Sequence, residues 1–327
     1  MKAGLCRKTD TDALYDGLPR PSPSKERAFS AALEGHRTGR FRAFALAVAA
    51  LIALAIVPSR PGAARSFGTT SQGRVEFEVK SKYSHILIRR KGNMRTMIFV
   101  RDSGEEAMET QMDLANPHEL HFTYLRYLFL SYVFRPEQEK VLIVGLGGGS
   151  MVRFLKRYDP GVHVDAVEID PAVVRIAEKY FGVRSEGNVN IITADAFDYL
   201  AKTDSQYDVI YMDAFLKPSK DTDSSGVPLK LRTLRFYEGV QKKLKPGGLV
   251  VFNLNPHPKL RGDVKTIRDA FPQTYVFSMP AGRGLVVVAS MSPQRESKAD
   301  LFARAKLVDR RFKTSFSFQG MVRWLER

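Results

Sequence analysis

Apolar and polar residues begin to alternate just after Gly73. RVEFEVKS, HILIRR and MRTMIFV each follow a period of two, and KGN between the last two reads as a turn, so the pattern predicts a small antiparallel β unit. The period then changes. Between Pro117 and Phe134, the residues Leu120, Tyr124, Leu125, Leu128 and Tyr132 recur at helical spacing and predict a helix that packs this unit, residues 73–135, on the main domain. RPEQEK is the linker onward.

From Lys140 short apolar runs alternate with amphipathic stretches. VLIVGL leads into a predicted helix from Ser150 to Tyr158, HVDAVEI into one from Pro171 to Phe181, VNIITA into one from Asp195 to Lys202, and YDVIYMDA into a loop and helix. The turn Lys245-Pro246-Gly247-Gly248 opens a fifth strand, a helix spans Gly262 to Phe271, and TYVFSM and GLVVVAS close the series as an antiparallel pair. Mostly apolar strands, each followed by a helix, predict a doubly wound, mostly parallel α/β sheet. Seven strands ending this way, over residues 140–291, resemble the Rossmann-like class I AdoMet-dependent methyltransferase fold. In the tail, residues 298–327, apolar positions at Leu301, Phe302, Ala305 and Leu307 predict a packed helix.

Composition sets bounds on this picture. The 327 residues are 44% hydrophobic and 26% charged, ordinary for a globular enzyme. Lys and Arg outnumber Asp and Glu by 51 to 35, but the excess is spread along the chain with no basic run and no RNP-type pattern, so specific nucleic-acid binding is not expected. The single cysteine, Cys6, excludes an intramolecular disulfide and a Cys-based metal site, and no metal is expected. Residues 1–40 are rich in Pro, Ser, Arg and Gly and predict disorder. Phe41 to Val57 is apolar except for Arg42 and has Arg37, Arg40 and Arg42 at its front, so residues 41–66 read as a signal peptide or a membrane anchor. The expected location is then a membrane or the far side of one, although the cytoplasm suits AdoMet chemistry better.

The candidate chemistry gathers at the carboxyl ends of the strands. Gly145, Gly147, Gly148 and Gly149 form a corner between strand and helix, where missing side chains let backbone amides approach a ligand at the helix N-terminus. Ser150 stands at the third glycine position of G-x-G-x-x-G. Glu168 ends the second strand and can accept two hydrogen bonds from a ribose diol, whereas Asp170, before Pro171, reads as a helix N-cap. Asp195, followed by Ala196, can accept from an adenine amino group while capping its own helix. Asp213 ends the apolar fourth strand at the edge where open α/β sheets bind ligands. A carboxylate there can orient an amine nucleophile and take its proton.

Taken together, KSKYSHI with Ser81, Tyr83 and Ile86, the glycine corner, VEIDPAVVRIAEKYF, the Asp195-Ala196 pair, YDVIYMDAF and FYEGVQKKLKPGGLVVFNL resemble the spermidine synthase family. The resemblance covers about residues 74–290 and implies a small N-terminal β domain on a Rossmann-like domain, a homodimer or tetramer, and transfer of an aminopropyl group from decarboxylated AdoMet to putrescine. It implies that Glu168 holds ribose, Asp195 with Ala196 holds adenine and Asp213 is the base; Tyr83 and Tyr124 are the substrate-binding candidates. Two departures stand out. The family's corner reads GGGDGG, its Asp pairing with the donor's amine, and Gly148 stands at that position here. The family's loop D-S-x-D holds a second Asp for the polyamine; here it reads D-A-F-L, with Leu216 at that place and Lys217, which would repel a diamine, beside it.

These departures favour methyl transfer from AdoMet to an amine over aminopropyl transfer from decarboxylated AdoMet. Two other classes remain open. A nucleoside-binding module without turnover would need only the pocket, and an NAD-dependent oxidoreductase would share the ribose carboxylate.

Overall fold

A computed structural model describes residues 73–216, 219–224 and 226–326. The expectations for the tail before Phe41, the segment 41–66 and Lys217 lie outside the described residues.

Four strands, β1 (Arg74–Lys80), β2 (His85–Lys91), β3 (Met94–Val100) and β4 (Glu106–Asp113), form an antiparallel meander in chain order. Three follow from the alternation, with Gly92 at φ +58° in the tight turn between β2 and β3. The sequence pattern did not indicate β4. Its pairing with β3 is irregular: Met97 faces Thr110 and Ile98 faces Met108, so Glu109 is the extra residue of a β-bulge.

The helical stretch before the linker divides into α1 (Thr123–Leu128) and α2 (Ser131–Phe134) where one helix was predicted. Leu128 through Val133 are all buried, a run that a single amphipathic helix with one wet face cannot accommodate.

The second sheet has seven strands: β5 (Lys140–Val144), β6 (His163–Glu168), β7 (Val189–Thr193), β8 (Tyr207–Met212), β9 (Leu244–Leu254), β10 (Gln273–Ser278) and β11 (Leu285–Ser290). Their order is β10-β11-β9-β8-β5-β6-β7; the five from β5 to β9 run parallel, and β11 slots antiparallel between β9 and β10. This is the predicted mostly parallel α/β fold. Its helices are α3 (Ser150–Tyr158), α4 (Pro171–Phe181), α5 (Ala196–Lys202), α6 (Leu234–Gln241) and α7 (Leu260–Ala270), followed by α8 (Lys298–Phe312) and α9 (Phe318–Val322).

Alternate residues of each strand feed two cores. Ile143, Tyr211 and Val251 pack toward α3 and α8, while Val144, Met212 and Phe252 pack toward α6 and α7. In α8 the buried stripe is Leu301, Ala305, Val308 and Phe312; Leu307, expected in the core, is 60% exposed because it lies off that spacing. A third core joins the two sheets, with Ile86, Ile88, Met97 and Met112 against Val173, Ile176 and Phe181 of α4. Ser81 strengthens the joint: its hydroxyl donates to Asp170 Oδ2 at 2.5 Å, while Asp170 Oδ1 caps α4 by accepting from Ala172 N at 2.8 Å.

The expectation of a membrane anchor is corrected for the described residues. Among the described residues no helix is long and apolar enough to cross a membrane, and the paired sheets bury their apolar faces against their own helices.

Candidate active site

The register of the parallel strands brings the candidate residues together. Val144 of β5 sits opposite Met212 of β8 and Val167 of β6, so Gly145, Asp213 and Glu168 leave the sheet at one level. Backbone bonds lock the corner: Gly145 N donates to Val167 O and Asp213 N to Val144 O, each at 2.9 Å. Gly145 has φ +98°, and a Cβ there would collide with the Asp213 carbonyl, so the approach of β8 to the corner requires glycine.

One cavity of about 900 Å³ opens over these strand ends, lined by Gly145, Gly147, Gly149, Glu168, Asp195, Ala196 and Asp213, and also by Tyr83 and Tyr124. Gly148 stands back from it. A side chain at Gly148 would meet Thr110 Cγ2 at 2.6 Å and the Phe181 ring at 3.1 Å, and its amide donates to Thr110 Oγ1 at 2.8 Å. The strand β4 therefore fills the space into which the family's loop acid would project.

Glu168 braces the corner by accepting from Leu146 N and Asp170 N, each at 3.0 Å. Burial raises its pKa and these backbone bonds oppose the rise, leaving a carboxylate with spare lone pairs facing the cavity. Asp195 is more heavily engaged. It caps α5 through Phe197 N at 2.9 Å and pairs with Lys230 at 2.5 Å, so its ligand role competes with two structural ones.

Asp213 accepts from Asn253 Nδ2 at 2.9 Å and from the Tyr124 hydroxyl. Burial pushes its carboxyl up to about 7, and the two hydrogen bonds oppose that rise. Tyr124 is held protonated, its pKa raised well above the usual range by burial and by the neighbouring Asp213 and Glu109. A carboxyl of this kind can take a proton near neutral pH, which is what a general base for an amine requires.

Of the acids near the missing second aspartate, Asp223 is committed to Arg232 at 2.6 Å. Asp221 lines the cavity but is exposed, and Leu216 occupies the expected position on the wall. Three contributors escaped the sequence reading: Glu109, Thr110 and Asn253. Asn253 had a signal, a lone amide in the apolar run VVFNL, and its Oδ1 is buried with no hydrogen-bond partner among the described residues.

The spermine/spermidine synthase domain model matches residues 127–281. The polyamine aminopropyltransferase of Vibrio vulnificus is 31% identical over 224 residues, covering 67% of this chain and 73% of its own. The chain belongs to the spermine/spermidine synthase family. A probable spermidine synthase from Corynebacterium glutamicum superposes with a TM-score of 0.59 at 21% identity, covering 76% of this chain and 92% of its own. Human Methyltransferase-like protein 13, solved in complex with SAH, gives 0.55 at 24% identity, covering 60% and 95%. At these identities both likenesses speak for the fold. Family membership makes the chain a transferase with an AdoMet-type co-substrate.

Proposed function

We propose that this transferase moves the aminopropyl group of decarboxylated AdoMet to an amine, with Asp213 as the general base. The observation carrying this reading is the placement of Asp213, a partly buried carboxyl whose pKa is pushed up to about 7, at a parallel strand tip, held by Asn253 and Tyr124 beside the glycine corner. The name of the Vibrio vulnificus relative supports aminopropyl over methyl transfer, reversing the preference drawn from the altered loops.

The donor supplies an electrophilic carbon on a sulfonium. This chain holds its nucleoside with Glu168 at the ribose, the glycine corner beneath and Asp195 with Ala196 toward adenine. As the acceptor nitrogen forms its bond to that carbon, the sulfur–carbon bond breaks and sulfur keeps the electron pair, leaving methylthioadenosine. Asp213 takes the proton the nitrogen sheds. In this reading the ring of Tyr83, on the cavity wall, and Asn253, on the adjoining cavity, align the acceptor.

Full-length protein incubated with decarboxylated AdoMet or AdoMet and a series of diamines tests the reading. Methylthioadenosine and an aminopropylated amine are expected; methylated amine from AdoMet with no aminopropyl product would overturn it.

A further inference from the structure

We propose that Glu109 supplies the negative charge that binds the donor's free ammonium, in place of the acid missing from the glycine corner, and so selects decarboxylated AdoMet over AdoMet. The proposal rests on the aminopropyl reading above.

Three independent features point to Glu109. The first is a substitution in space. The place into which an acid at Gly148 would project is occupied by Thr110, and Glu109 is the residue immediately before it, its carbonyl 4.0 Å from where a Gly147 side chain would begin. The strand that displaces the loop acid thus brings its own.

The second is the bulge. In a regular β4 every second residue shares a face, but Glu109 is the residue without a partner on β3. Bulges re-aim side chains and gather beside active sites. This one turns a glutamate into the cavity shared with Asp213 and Glu168, and into an adjoining cavity of about 310 Å³ that reaches Asn253.

The third is that the carboxylate has nothing to hold. Glu109 makes no hydrogen bond or ion pair among the described residues; its charged neighbours are Asp213, Arg101 and Glu168. Arg101 is itself paired with Glu105 at 3.1 Å. A partly buried carboxylate facing two others is costly without a cation between them.

The donor provides that cation. With ribose at Glu168 and the reacting carbon at Asp213, the donor's arm crosses the space that Glu109 faces. In decarboxylated AdoMet the arm ends in an ammonium alone. In AdoMet it also carries a carboxylate, a fourth negative group among Glu109, Glu168 and Asp213, which like-charge repulsion disfavours.

Calorimetric titration of full-length protein at pH 8 with methylthioadenosine, decarboxylated AdoMet and AdoMet tests this. Wild type should favour decarboxylated AdoMet over AdoMet by about tenfold or more, the worth of one well-placed charge. Glu109→Gln should cut that ratio to within roughly threefold and leave methylthioadenosine, which lacks the ammonium, bound as before. Glu109→Asp, keeping the charge on a shorter stem, should retain part of the preference. A preference that survives in Glu109→Gln, or is absent from wild type, overturns the proposal. Loss of methylthioadenosine binding in both variants does so too, since it would make Glu109 a structural residue. If discrimination follows Glu109 while no amine is ever aminopropylated, the transfer reading falls and the role of Glu109 in donor binding stands.

Discussion

Asp213 and Glu109 line the same cavity, each with its carboxyl pushed up to about 7, yet they reach it by opposite routes. Asp213 ends a strand buried along its whole length, and sheet register fixes its place to the residue. Glu109 rides on an edge strand of the smaller sheet, displaced from regular pairing by a bulge. The large sheet fixes its residue by core register, whereas the small sheet offers a position at its edge. The proposed roles follow that division, with chemistry at the first and donor choice at the second.

The largest expected effect separates these roles. Asp213→Asn keeps the bond geometry to Tyr124 and removes the proton acceptor, so kcat should fall by about 10²–10⁴. Methylthioadenosine should still raise the melting temperature, since Glu168 and the corner are untouched. A fall in kcat below tenfold would move the base elsewhere, Glu109 being the next carboxyl on the cavity.

Next comes the attempt to return the acid to the corner. Gly148→Asp would drive its side chain into Thr110 Cγ2 and Phe181, and overpacking of this kind costs about 1–3 kcal/mol. Donor affinity should drop with it, although the change restores the family's own residue. Combining it with Thr110→Ala, which opens the space, should recover at least half of the lost stability by denaturant titration. If Gly148→Asp alone is neutral, the exchange between loop and strand did not occur.

The same contrast governs how visible each residue is in the sequence. The parallel sheet was legible because VLIVGL, HVDAVEI and YDVIYMDA are short, mostly apolar runs each leading into a helical stretch, and the convergence of Glu168, Asp195 and Asp213 followed from their places at strand ends. EAMETQMD was not legible as a strand: it has no Val, Ile or aromatic residue, and its apolar positions are broken by the bulge. Nothing in its local pattern therefore sets Glu109 apart from the other acidic residues of the chain. Asp195 illustrates the other limit, because its partner Lys230 lies 35 residues away and no local pattern announces the pair.

A smaller effect probes the coupling at Asp213 itself. The Tyr124 hydroxyl holds the Asp213 pKa down against burial, so Tyr124→Phe should let it rise. The base must be ionised to work. The acid limb of the kcat/KM profile should therefore move to higher pH, each whole pH step lowering activity at pH 7 about tenfold, with recovery near pH 9. An unmoved limb with a uniformly lower rate would give Tyr124 a positioning role only.

The smallest effect is on stability without ligand, and it tests whether Glu109 is held at a cost. In the unfolded chain Glu109 and Asp213 ionise near their ordinary values; in the folded protein both keep protons until about pH 7. Between roughly pH 4 and 7 the folded state therefore binds more protons than the unfolded state, so stability falls as pH rises through that window and stays low above it. Glu109→Gln removes one of the two carboxyls and relieves the other, while Arg101, Glu168 and Tyr124 still face the site. The variant should be more stable than wild type at pH 8 by about 1 kcal/mol, a shift of roughly 2–4 °C in Tm, and indistinguishable from it at pH 4.5. Saturating decarboxylated AdoMet should reverse the order at pH 8, because the bound ammonium turns the uncompensated charge of wild type into an ion pair. A variant equally stable at both pH values would mean that Glu109 is fully compensated by the protein alone, leaving it no free charge to offer a ligand.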